Sequence, residues 1–323
     1  MKAILSLFLI SAVTIANAQN YPPDFGQPGS TAIPSTDSRF VAWATGATVE
    51  RGLVNISNPS IMANGSNRAS VGVDANAIGP ADGSIVSLGD HGTAILTFAT
   101  PIINGEGFDF AVFENGGPVF LELAFVEASS DGINFFRFPA HSLTQTATQV
   151  GSFQTVLATN LNNLAGKYGS NGTPFDLSDI PDDPLLDKQS ITHIKVIDVV
   201  GTIDPQYATY DSFGNMVNEA WPTPFNSCGF DLDAVGVINQ KALGRSDFET
   251  ANVFLYPNPA QNRVYVQSKN EVNVSIYDVS GRLVASKKSV TSNGIDVSNL
   301  SKGIYLIQIT SEEKTTSVRL VIK

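Results

Sequence analysis

No stretch of this 323-residue chain sustains the 3.6-residue period of an amphipathic helix. Its apolar residues instead alternate in short runs closed by glycine, proline, asparagine or aspartate. That pattern commits the chain to strands, and strands bury their apolar faces by packing sheet on sheet. Phe108, Phe110 and Val112 alternate with Asp109, Ala111 and Phe113, so this run is apolar on both faces and belongs deep in a sandwich. Leu121, Leu123 and Phe125 share a face, with Glu122, Ala124 and Val126 on the other. Asp131-Gly132 follows, a dipeptide that tolerates the positive φ angles of a tight turn, so residues 124–129 are expected to pair with 134–138. Residues 94–98 read as a strand ending at Pro101, 191–200 as one stopped by Gly201, and 234–238 as the last of the large unit. Residues 153–164 leave room for a turn or two of helix. The loops at 160–187 and 202–229 are long enough to bind something or to fold back over a site. The expected fold class is all-β: a jelly-roll-like β-sandwich followed by a smaller sandwich.

The chain is 42% hydrophobic and 15% charged, which suits packed cores, and its length suits two domains. Charge is split unevenly. Residues 19–240 hold 23 acidic and 7 basic residues, net −16, whereas 241–323 hold 7 acidic and 11 basic, net +4. The acidic part lacks the basic face that nucleic acid or an anionic membrane requires, and it suits divalent cations or neutral ligands. Cys228 is the one cysteine, so no disulfide forms within a monomer, and the thiol reads as buried and inert.

The N-terminus has the order of a secretory signal: basic Met1-Lys2, a largely apolar 3–15, then Ala16-Asn17-Ala18, with cleavage expected after Ala18. The apolar stretch is too short to span a bilayer. Four segments are expected: a signal peptide at 1–18, the large domain at 19–240, a linker at 241–252 and a C-terminal module at 253–323.

That module opens with Val253-Phe254-Leu255-Tyr256-Pro257-Asn258-Pro259. It continues through Val274-Ser275-Ile276-Tyr277-Asp278-Val279-Ser280-Gly281-Arg282 and closes with Leu300-Ser301-Lys302-Gly303-Ile304-Tyr305-Leu306-Ile307-Gln308-Ile309. This succession resembles the C-terminal sorting domain of the type IX (Por) secretion system of Bacteroidetes. The resemblance implies an immunoglobulin-like sandwich and passage across the outer membrane by the type IX machinery. It further implies removal of the module, often with attachment to surface lipopolysaccharide, and an extracellular or outer-surface location in a Bacteroidetes-like bacterium.

In the large domain, Glu127-Ala128-Ser129-Ser130-Asp131-Gly132-Ile133-Asn134-Phe135 resembles a hairpin of galactose-binding-like jelly rolls. A wider set spans Asp109–Gly116, Asn163–Lys167, Gly172–Leu177 and Gly229–Ile238. It resembles, over about residues 40–240, a family of exported bacterial "cell surface proteins" without an established activity. Some relatives resemble proteins beside outer-membrane uptake systems, including those for corrinoids, which points towards ligand capture.

The chemistry-bearing residues narrow the function classes. The histidines are His91, His141 and His193, none in a nucleophile elbow, and no zinc, phosphate-loop or dinucleotide signature is present. Glu114, Glu122, Glu127, Asp198, Asp231 and Asp233 are candidates for the facing carboxylates of a glycosidase. Calcium is the sharper expectation, because it takes oxygen ligands from carboxylates and carbonyls at strand ends. Glu114 lies where a strand enters a Gly-Gly-Pro loop, Asp231 and Asp233 flank Leu232 at the mouth of the last strand, and Asp198 lies within the 191–200 strand. The competing reading is that these side chains bond loop N–H groups. Asp176, Asp179, Asp204 and Asp211 add loop oxygens. Trp221 and Phe225, with Tyr207 and Tyr210 upstream, could stack on sugar rings or another planar ligand, or could pack down to hold their loop. The reading that results is an exported surface binding or adhesion protein, calcium-stabilised, with a glycan or small-molecule ligand. The alternatives are a nutrient-capture protein feeding an uptake system and a carbohydrate-active enzyme; an enzyme is the less favoured.

Overall fold

A computed structural model describes residues 21–117, 120–241, 254–267, 271–290, 294–311 and 314–323. The expected signal peptide and most of the expected linker lie outside these residues. The chain divides into two compact units, Met1–Lys241 and Ala242–Lys323.

The strands of the large unit are β1 (Ala42–Trp43), β2 (Gly46–Glu50), β3 (Val86–Ser87), β4 (Thr93–Ile102), β5 (Phe110–Glu114), β6 (Ala124–Ser129), β7 (Phe136–Arg137), β8 (His141–Ser142), β9 (Leu161–Asn162), β10 (Thr173–Phe175), β11 (Ile191–Asp198) and β12 (Asp231–Val237). One sheet runs β1-β12-β5-β10, with β3 also on β12; the other runs β2-β4-β11-β6-β7. Pairing is antiparallel throughout both sheets. The chain alternates between sheets as it passes along β4, β5, β6, β10, β11 and β12, which is jelly-roll connectivity. The central core interleaves Phe110, Val112, Leu232 and Val235 from one sheet with Leu96, Val126, Ile194 and Val196 from the other.

Both sheets are covered on their outer faces too. Ala111, Phe113 and Ala234 pack under Phe40, Trp43 and Ile33. Leu123, Phe125 and Ile197 pack under Leu161, Leu164 and Val217. The long loops therefore supply the outer layer, which is why β5 and β6 are apolar on both sides. Helix is confined to short 3-10 turns among the described residues, one of them Ala158–Asn160 within the stretch where a helical turn was expected.

The Asp131-Gly132 hairpin pairs Glu127 with Arg137 and Ala128 with Phe136, as expected. Gly132 has φ +74°, and a Cβ there would lie 2.8 Å from the His193 ring, so only glycine fits this turn. Strand β4 departs from expectation by running through Pro101 to Ile102. Its partner β2 reaches only as far as Thr97, so the missing N–H of Pro101 faces no ladder on that side.

The second unit contains β13 (Phe254–Tyr256), β14 (Arg263–Gln267), β15 (Val272–Tyr277), β16 (Leu283–Val290), β17 (Ile295–Asp296), β18 (Gly303–Ser311) and β19 (Lys314–Ile322). They form sheets β13-β14-β17 and β16-β15-β18-β19, a small immunoglobulin-like sandwich. Val264, Val272, Val274, Ile276, Ile307 and Leu320 fill its core. The Asp278–Gly281 turn closes as the Asp278 carboxylate accepts the N–H groups of Ser280 and Arg282.

Candidate functional site: a buried carboxylate cluster beneath an aromatic loop

Glutamate and aspartate side chains gather where β5, β6 and β11 end or begin at one end of the large sandwich. Glu114 ends β5 on the face of Phe110 and Val112, opposite Leu232 of β12, and so points between the sheets. Asp198 ends β11 on the face of Ile194 and Val196. Glu122 precedes Ala124 of β6 by two residues, and Glu219 comes in from the long loop. Glu114 is 1% and Glu122 5% exposed.

Their partners differ sharply. Asp198 accepts the Phe230 N–H at 2.7 Å and the His91 N–H at 3.0 Å. Glu219 accepts the Leu123 N–H at 2.7 Å. Asp90 accepts the Ile56 N–H at 2.7 Å and the Trp221 indole N–H at 3.2 Å. Asp231 accepts the Ser87 hydroxyl. Neither carboxylate oxygen of Glu114 has a hydrogen-bond partner. The Gly116 N–H eases the Glu114 charge without the alignment of a hydrogen bond. Glu122 likewise makes no hydrogen bond among the described residues. The ion pairs among the described residues lie elsewhere, for example Arg137–Glu127 at 2.9 Å and Lys188–Asp182 at 2.8 Å. Arg51 acts on Asp231 through space, its guanidinium being bonded to the carbonyls of Val71, Ser87 and Gly72.

Burial pushes the carboxyls of Glu114, Glu122, Asp198 and Glu219 well above the ordinary carboxylate range, and mutual repulsion adds to it. Burial also raises Asp231 to about 7, against the lowering by Ser87 and Arg51, and Asp90 to about 6. Cys228 is buried close by, its thiol pushed up to about 12 by burial and then by Asp90 and Asp198, which leaves it inert as a nucleophile.

Asp231 and Asp233 were expected to point the same way, two residues apart on a strand. A bulge between Leu232 and Ala234 breaks that alternation. Asp233 turns to accept the N–H groups of Asp82 and Gly83 at 3.2 and 3.1 Å, while Asp231 pairs with Ser87. The loop acids are satisfied in the same manner: Asp211 by Ser142, Phe213 and Asn215, and Asp176 by Ser178. Among the described residues, no three His, Cys, Asp or Glu side chains are arranged to hold a metal ion by themselves.

Gly229 makes the Asp198 contacts possible. Its φ is +67°, and a Cβ would lie 2.6 Å from Asp198 Oδ1 and 2.7 Å from the Gly89 nitrogen. Gly229→Ala is expected to destabilise the chain by about 2–3 kcal/mol, from positive-φ strain and the lost fit. Urea unfolding checks this; equal midpoints for the two proteins would contradict it.

The loop above the cluster carries the aromatic residues. Trp221 is partly buried and tied to Asp90, and its N–H donates to the Val150 carbonyl, so it anchors the loop more than it offers a surface. Phe225 is 38% exposed and meets Phe153, 79% exposed, at a ring separation of 5.6 Å. Ser152 bonds the Pro222 carbonyl and holds the two loops together. Tyr210 is exposed and Tyr207 half-buried, and neither contacts the Phe153–Phe225 pair through its ring. Phe153 was not singled out in the sequence; it sits in the run read as a helical turn, and its one signal was an aromatic residue among polar neighbours. A cavity of about 180 Å³ is lined by Val150, Val156, Leu157 and Asn160 among others, without Phe153 or Phe225.

Residues 254–323 match the family described as the secretion system C-terminal sorting domain. The chain thus ends in a type IX export address, which directs it to the outer surface in Bacteroidetes-like bacteria. No helix among the described residues is long and apolar enough to cross a membrane. No curated protein matches the chain. Among solved structures it is similar to PorZ, a surface component of the type IX secretion system of Porphyromonas gingivalis, at 19% identity and TM-score 0.21, over 28% of this chain and 14% of that one. It is similar to a β-glucuronidase of Ruminococcus gnavus at 11% identity and TM-score 0.19, over 72% of this chain and 36% of that one. A β-glucuronidase of Faecalibacterium prausnitzii aligns at 12% identity and TM-score 0.20, over 87% and 44%. The chain spans less than half the length of each, and overlaps this loose bear on neither chemistry nor ligand.

Proposed function

We propose that the large unit is a surface binding or adhesion module that holds glycan through the loop end of its sandwich, with Phe153 and Phe225 as the stacking surface. The observation that carries this reading is that pair. Two phenylalanine rings in contact stand in solvent on an exported chain, fastened to a rigid base by Trp221, Ser152 and Asp90. Apolar rings kept exposed and held in place suit the flat apolar face of a sugar ring. The cavity lined by Val150, Val156 and Leu157 is smaller than the few hundred Å³ that encloses a cofactor-sized ligand, and neither phenylalanine lines it, which favours an open stacking surface over capture in a pocket. A glycosidase would need its carboxylates in an open cleft, whereas Glu114 and Glu122 are buried beneath the loop.

Affinity electrophoresis of the full-length chain through gels cast with bacterial and host polysaccharides tests this. Retardation by at least one polysaccharide is expected, with the F153A/F225A variant losing at least about tenfold in affinity, as for two stacking contacts of about 1 kcal/mol each. Equal migration of the two proteins in every polysaccharide would sink the reading.

A further inference from the structure

We propose that Glu114 and Glu122 are the inner ligands of a calcium ion held between the two sheets at the loop end, with backbone carbonyls and water completing its shell. The inference is independent of what the exposed loop binds. It rests on the difference among the clustered carboxylates. Asp198, Glu219, Asp231 and Asp90 each accept an N–H or O–H. Glu114 and Glu122 accept none, although both are more than nine-tenths buried and Glu114 has no partner at either oxygen.

The two come from opposite sheets. Glu114 ends β5, and Glu122 leads into β6; Asp231 and then Glu114, Glu219 and Asp198 act on the Glu122 charge, while Asp231 and Asp233 act on that of Glu114. A buried carboxylate without a donor or counter-charge is costly. No lysine or arginine pairs with either residue among the described residues. A divalent cation between them would answer both charges at once.

The donor set selects the metal. Every candidate ligand is oxygen, and Cys228 is a protonated thiol at this end. Oxygen-only ligation at a flexible distance is the preference of calcium; magnesium demands a tighter octahedron. Two carboxylates would supply part of the oxygen shell that calcium takes, with carbonyls and water supplying the rest. The Phe120 carbonyl lies in the turn that covers Glu114. A Cβ on Gly116 would lie 2.2 Å from Glu114 Oε2 and 2.8 Å from that carbonyl oxygen, so the turn closes over the carboxylate only because residue 116 is glycine.

The test is thermal melting of the full-length chain with chelator, with calcium chloride and with magnesium chloride, beside Glu114→Gln, Glu122→Gln and Asp182→Asn. Calcium at a hundredfold excess over its Kd is expected to raise the Tm by roughly 5–10 °C over chelator. Each glutamine variant should lose most of that rise while melting, in chelator, no lower than the wild type, since it removes an unpaired buried charge. Asp182→Asn, at an exposed ion pair, should keep the rise in full. A wild-type Tm that calcium leaves unmoved, or a rise kept in full by both glutamine variants, overturns the proposal. An equal rise with magnesium overturns the assignment to calcium.

Discussion

Removing residues 254–323 is expected to abolish surface display of the large unit, cutting protease-accessible protein on intact cells by at least about tenfold, while that unit stays folded. The reason lies in how the two units are built. The core groups of the large unit, around Val112, Leu123, Phe113 and Val54, draw on residues up to 241 only. The sorting module has a separate core around Ile276 and Ile307. Among the described residues each core group is drawn from its own unit, so deletion is expected to remove the address and leave the cargo intact. Surface proteolysis of cells carrying the full and the shortened chain, with circular dichroism of the shortened protein, measures both halves. Undiminished display after the deletion would contradict the export role, and a shortened protein lacking β-sheet signal would contradict the independence of the cores.

The second large effect is on pH. In chelator, the chain is expected to be less stable at pH 8 than at pH 5, by about 4 kcal/mol from Asp231 and Asp90 together, or roughly 10 °C in Tm. The sign follows from the direction of the shifts. Burial holds Asp231 at about 7 and Asp90 at about 6, against an unfolded value near 4. Between those values the folded chain binds more protons than the unfolded one, so stability falls as pH rises through the folded values. Glu114, Glu122, Asp198 and Glu219, all raised, push the same way. The lowered carboxylates, Asp37 and Asp278 at about 2, act in the opposite sense but only below about pH 4, outside this window. Chelated melts across pH 5–8 check this, and a Tm that is level or rising towards pH 8 would refute the assignment of these groups as buried charges.

Local signals made much of the fold legible. Asp131-Gly132 announced its hairpin because the turn needs positive φ at one residue and glycine supplies it. The two-faced apolar run at Phe108–Phe113 announced a strand covered on both sides. The sorting module was legible as a succession of motifs. The candidate site was legible only in part, because its members are distant in the chain and meet through pairing that alternation does not specify. Glu114 and Asp231 could be picked out as acids at strand ends, and Asp198 as an acid within a strand. That Glu122 would come under the charge of Glu114 depends on β5 and β6 standing in opposite sheets. That Glu219 would join them depends on the path of a long loop. Asp233 turned away because one extra residue in β12 shifts the register, and a bulge leaves no mark in an alternating pattern. Trp221 and Phe225 were both read as stacking candidates; the Trp221 indole is spent on Asp90, while Phe225 stays exposed and meets Phe153, which the sequence did not single out.

Strand β12 enters the sheet at Asp231, just after the aromatic loop, and the chain leaves it at the far end, where the Lys241 N–H meets the Pro101 carbonyl. A pull between something held at Phe225 and a grip beyond Lys241 therefore runs lengthwise along β12. That strand is bonded to β5 on one side and to β1 and β3 on the other, with ladder hydrogen bonds lying across the direction of pull. Such bonds are loaded in shear and must yield together, whereas a strand peeled from its end gives way one bond at a time. The connectivity that places the loops at one end and the exit at the other would load β12 in shear under such a pull, not in peeling.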